Sequence, residues 1–157
     1  MAVMRKLSSV APARGTSESV LREVAVLPFN DPRDAVETLD EHRGEIACVM
    51  LDLMPHRAGL IPAEEEFLRA LRDWTRRDGA LLVFDEVITF RHEVGGMQAL
   101  HGVRPDLTAL GKIIGGGLPV GAVAGSAEVM GVFSSSGDGP PLPQSGTFSA
   151  NPLTMAA

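Results

Sequence analysis

The chain has 157 residues, 45% of them hydrophobic, and a formal net charge of -6 at pH 7. That length can bury a core of its own, and the acidic balance, with no basic cluster longer than Arg76-Arg77, excludes nucleic acid as a main partner. No stretch approaches the roughly 18 apolar residues needed to cross a bilayer, and the lone Cys48, set in an apolar run without a disulfide partner, predicts a cytoplasmic protein with Cys48 as a core thiol.

Residues 1–14 carry no convincing period and predict an irregular start without the apolar run of a signal peptide. Glu23 to Leu27 reads as a short strand that turns out at Pro28. Asp31 followed by Pro32 is a helix start, because aspartate caps free N–H groups and proline loses nothing at the first helical position. Ala35, Val36 and Leu39 form its inner stripe, and Gly44 lies past its end. Ile46 to Leu51 predicts a buried strand, and 53–61 a loop. A second helix is expected from near Pro62, with Glu64, Glu65 and Glu66 at its positive end, Arg72, Arg76 and Arg77 toward its negative end, and Phe67, Leu68, Leu71 and Trp74 inward. Gly79 breaks it, and Ala80 to Phe84 is the next buried strand. Strands alternating with helices predict an α/β domain with a mostly parallel sheet and flanking helices. Beyond it a short helix is expected over 95–101, a strand over 120–124, a helical turn or two over 127–132, a Ser/Gly/Pro-rich loop over 134–145, and a helix beginning near Asn151 that the sequence leaves unfinished. That unfinished helix is the residue-level reason to expect a truncated chain.

Two charged centres carry the chemistry. The strand ending in Phe84 delivers Asp85 and Glu86 at its C-terminal end, where open α/β sheets place ligands. Lys112 lies between an apolar stretch and the triplet Gly115, Gly116 and Gly117, in LTALGKIIGGGLPVGA. A desolvated lysine amine attacks carbonyls, and the resulting imine is the usual way to hold pyridoxal phosphate. A carboxylate such as Asp85 suits the far end of that cofactor, where it keeps the pyridine nitrogen protonated. Taken singly, an arbitrary lysine is a solvated side chain and an arbitrary strand-end aspartate a cap or salt-bridge partner. The glycines, which permit close approach or positive dihedral angles, give the pair its weight. Gly146 and Thr147 offer a phosphate contact before the last helix, although a loop threonine is more often only a cap.

Other chemistry finds no support. LTALGK has Asp106 where a phosphate loop needs glycine and Ile113 where it needs Ser or Thr. The glycine triplet lacks dinucleotide spacing, and an ATPase reading of the Asp85-Glu86 pair fails without a phosphate loop. His42, His56, His92 and His101 have no metal-ligand spacing, and no serine sits in a nucleophile elbow.

FDEVITFR, PDLTALGKIIGGGLPVGAVAG and SGTFSANPLTMAA resemble successive blocks of the class III, fold type I pyridoxal-phosphate aminotransferases. VLPFNDPRDAVETL, LIPAEEEFLRALRDWTRRDGALLVFDEV and GGMQALHGVRPDLTALGK are most similar to the glutamate-1-semialdehyde aminomutase branch. The resemblance implies that 15–157 is part of a cofactor-binding large domain, truncated at both ends relative to the family. It implies Lys112 as the catalytic lysine forming the Schiff base, Asp85 as the pyridinium partner, Val87 against the ring, Thr147 on the cofactor phosphate and Glu86 as a supporting polar residue. It further implies small amino and carbonyl substrates and, for the complete enzyme, a homodimer.

The chain departs from the family pattern. Asp52, Leu53 and Arg57 of DLMPHRAGL replace a Glu-Pro start and an Asn-containing loop, and ITFR lacks the usual glycine before Phe90. Absent too are the upstream phosphate loop, the residue that stacks on the ring, and the small domain with its carboxylate-binding arginine. The expectation is therefore an aminotransferase or aminomutase family member whose isolated chain is weakly active or inactive. The alternative expectation is a noncatalytic remnant acting at most as a cofactor-binding or dimerisation module.

Overall fold

The computed structural model of the protein describes residues 14–134 and 139–157. The irregular start expected over 1–14 thus lies, apart from Arg14, outside the described residues, as do 135–138 of the expected loop. Ser17 opens α1 (Glu18–Arg22), an exposed helix that the apolar pattern does not announce, by accepting the Ser19 N–H at 3.2 Å. The α2 helix (Pro32–Asp40) starts as its chemistry demands: Asp31 Oδ1 accepts the Asp34 N–H at 3.0 Å, Pro32 follows, and Ala35 and Leu39 are buried.

After β1 (Cys48–Asp52) comes α3 (Glu65–Asp78), which starts later than Pro62 because the preceding backbone is tied elsewhere. Ala63 N–H donates to the Leu53 carbonyl at 2.7 Å, and Glu64 N–H to Asn30 Oδ1 at 2.9 Å. Phe67, Leu68, Leu71 and Trp74 are buried as their spacing predicts, and Gly79, at φ +82°, ends the helix in a left-handed turn. Next are β2 (Leu81–Asp85) and α4 (Gln98–His101). The latter is shorter than expected, because Gly95 and Gly96 sit at φ +91° and +84° and cannot belong to a right-handed helix. Then follow β3 (Leu107–Leu110), β4 (Ala122–Gly125), α5 (Ala127–Met130) and, capped by Asn151, α6 (Pro152–Ala156).

The sheet order is β1-β2-β3-β4, with β1, β2 and β3 parallel and β4 antiparallel to β3. Register sorts the side chains into two faces. Val49, Leu82 and Phe84 point toward α3 and are buried with Phe67, Leu68, Leu71 and Trp74, each large side chain contributing roughly 1.5–3 kcal/mol by leaving water. The opposite face carries Cys48, Met50, Leu81 and Val83, and there Met50 is 58% exposed.

Two expectations change here. Residues 23–27 form no sheet strand: they run beside the open edge of β1 with a groove between, so no backbone partner is in reach. Cys48 is exposed rather than a core thiol, because it begins the edge strand on the side that α3 does not cover.

Candidate active site

Three parallel strands end along one edge, and that edge collects the candidate residues. Asp85 is the last residue of β2, in register with Asp52 of β1 and Ala109 of β3. Its Oδ1 accepts the Val87 N–H at 3.0 Å, and its second oxygen has no hydrogen bond among the described residues. Asp52 repeats the arrangement, accepting the Met54 N–H at 2.9 Å. The sheet locks the strand ends together through the Glu86 N–H, which donates to the Ala109 carbonyl at 3.0 Å.

Glu86 turns the other way and is fully buried. Its carboxylate accepts the N–H of Met97 at 2.6 Å, the N–H of Gln98 at 3.0 Å and the hydroxyl of Thr89 at 3.2 Å. Gly96 makes room for it: a Cβ there would lie 2.7 Å from Glu86 Oε1. This side chain thus pins the loop after Asp85 to the start of α4, in keeping with the supporting role that the resemblance implies. Gln98 extends the network to the Thr108 hydroxyl at 3.2 Å. Its part was not legible in the sequence, because the signal is a long-range pairing without local spacing.

Two residues past β3 lies Lys112, preceded by Gly111 in extended backbone. Lys112 is at φ +47°, a left-handed conformation that costs a non-glycine residue about 1–2 kcal/mol. Such strain persists where the surroundings over-determine it, as at functional sites. Gly116 and Gly117 also have positive φ, and Gly115 packs close to Val120, so the triplet serves the uses expected of it. Val87 meets this turn directly: its Cγ1 would lie 3.3 Å from a Cβ on Gly111. Lys112 itself is exposed, so the desolvation that would free its amine is not supplied by the described residues.

Thr147 is exposed in the turn before Asn151, and no described contact joins it to Asp85, Val87 or Lys112. The N–H groups opening α6 are taken by Asn151, whose Oδ1 accepts from Leu153 and Thr154 at 3.1 and 3.2 Å. Among the described residues no cluster of His, Cys, Asp and Glu could hold a metal, and no helix is long and apolar enough to cross a membrane.

Comparison with known proteins turns this geometry into a family. The aminotransferase class-III family model matches residues 4–157. The chain belongs to the class III aminotransferases. It is 49% identical over 145 residues to the glutamate-1-semialdehyde 2,1-aminomutase of Acidobacterium capsulatum, covering 91% of this chain and 33% of that one. Among solved structures it is similar to an omega-transaminase from Sphaerobacter thermophilus, with 55% identity and a TM-score of 0.88 over 93% of this chain and 33% of that one. A transaminase with pyridoxal phosphate bound is 43% identical, with a TM-score of 0.87 over 92% of this chain and 34% of that one. The chain therefore spans about a third of the length of the relatives it matches.

Class III aminotransferases use pyridoxal phosphate. The residues of this chain fit two ends of that cofactor: a lysine amine open to the strand-end edge, and an aspartate with one carboxylate oxygen left free. For the phosphate end the candidate is Thr147, which the described contacts leave apart from the other two.

Proposed function

We propose that this chain is part of the cofactor domain of a pyridoxal-phosphate enzyme that moves an amino group between small amino and carbonyl compounds. The reaction is either transamination between two substrates or, as the relatives' names suggest, migration within one. The observation that carries this reading is the meeting of Asp85 and Lys112 at neighbouring strand ends, in a chain of this family. The complete protein acts as a homodimer in the cytoplasm, and the isolated 157 residues are weakly active or inactive because the phosphate and ring contacts are incomplete. A noncatalytic remnant is the second reading, favoured by the exposed sheet face and open edges.

Bound pyridoxal phosphate supplies a conjugated ring that takes up the electron pair left when a proton departs from the substrate carbon. Lys112 Nζ anchors the cofactor covalently, yields that bond to the substrate amine, and then moves the proton at the substrate carbon. Asp85 holds the ring nitrogen through the oxygen that Val87 N–H leaves free, and Val87, packed on Gly111, gives the ring an apolar wall. Thr147 donates its hydroxyl to the phosphate.

Exchange of the substrate carbon-bound hydrogen with deuterated water tests these roles one at a time. In a chimera carrying residues 15–157 within the omega-transaminase framework, Lys112→Ala is expected to abolish exchange. Asp85→Ala is expected to retain cofactor and slow exchange by about 100-fold or more. Normal exchange in the lysine variant would reject the assignment.

A further inference from the structure

We propose that the groove beside β1 is an acceptor slot for one β-strand, supplied by a class III aminotransferase segment outside the 157 residues of this chain. The inference rests on the family membership, not on the role given to Lys112. In the sheet order, β1 hydrogen-bonds to β2 on one side only, so its other edge presents unpaired backbone groups. Across the groove lies the apolar stretch 23–27, also outside the sheet. Two extended segments facing each other without pairing are what remains when the strand between them is removed.

Size and lining agree. The groove has a volume of about 1210 Å³, above the roughly 300–1,000 Å³ of small-ligand pockets. It runs along all five residues of β1, a length of about 17 Å at the usual rise per strand residue. Its walls are the half-exposed Val24, Val26 and Met50, and Leu39 and Phe67 line it as part of the core. An occupant entering as an extended strand gains backbone hydrogen bonds on β1 and apolar contacts below. The free edge of β4 has no comparable facing segment, which singles out β1. The source of the strand follows from coverage: relatives that superimpose on this chain with a TM-score of 0.88 hold two thirds of their length elsewhere.

Cys48 gives a direct readout. It is the chain's one cysteine, it is exposed, and it lines the slot. The experiment measures its labelling rate with a chromogenic disulfide reagent, in the chain alone and after mixing with the portions of the Sphaerobacter thermophilus omega-transaminase that lie outside the matched third, each with its cysteines replaced. The expected result is fast labelling alone and labelling slowed about tenfold or more by one portion, with hydrogen-exchange protection appearing over 46–52. Val26→Lys, a surface change on the facing wall, is expected to leave the free chain folded and to abolish the protection. Equal labelling with every portion would overturn the proposal. So would protection that grows with the concentration of this chain alone, which would assign the slot to a second copy.

Discussion

At the residue scale, the distinction that matters at the strand ends is between Asp85 and Glu86. They are neighbours in sequence with the same charge, yet one keeps a carboxylate oxygen free and the other spends its carboxylate on three donors from its own and the following loop. The sequence identified the pair and could not divide the labour by spacing, because alternation only says that they face opposite ways. Gly96 offers a test of the Glu86 cage. Gly96→Ala combines a left-handed backbone with a Cβ overlapping the buried carboxylate, and is expected to destabilise by about 2–3 kcal/mol. Gly79→Ala has a similar φ but open space, and should cost only about 1 kcal/mol. Urea unfolding of the two variants checks this, and equal losses would mean that the cage contributes little.

At the element scale, α3 was read almost fully from its apolar spacing and terminal charges, since both act locally. What the spacing could not reveal is how α3 is fastened. Arg72 lies on its buried side, and its Nη1 donates to Asp106 Oδ2 at 2.9 Å and to the Arg104 carbonyl at 3.2 Å, while the same Asp106 oxygen accepts the Leu82 N–H at 2.7 Å. Asp106→Ala strips a buried guanidinium and a strand N–H of their partner, so a loss of about 3–5 kcal/mol is expected in thermal or urea unfolding. Joining α2 to α3, Trp74 Nε1 donates to Asp40 Oδ1 at 2.9 Å. That hydrogen bond is the largest cause holding the Asp40 carboxyl below its ordinary 3.8; partial desolvation opposes it, and Arg43 and Arg77 add to it. A lowered folded pKa means the stabilisation is complete above the unfolded value and is lost as pH falls through the folded one. Asp40→Asn should therefore flatten the acid side of the stability profile, with variant and native chain converging below about pH 3. Unfolding midpoints measured across that range give the answer, and parallel profiles would contradict the linkage.

At the scale of the whole molecule, a parallel sheet is normally covered on both faces. Here the helices of the core lie on one, and Met50 marks the other. The strand-helix order was legible because each element carries its own period. The fate of 23–27 and of Cys48 was not, since both depend on which strand lies at the edge, a property of the assembled sheet. The same limit applies to the site: Asp85, Val87 and Lys112 come together through sheet register, whereas Thr147 depends on contacts that these residues alone do not make. The measurement that bears most directly on the cofactor centre is to mix the purified chain with pyridoxal phosphate, reduce with borohydride, and map the modified peptide by mass. The account predicts saturable attachment at Lys112, absent from Lys112→Ala. Attachment spread over Lys6 and the chain termini, or no saturable attachment in a folded sample, would contradict it.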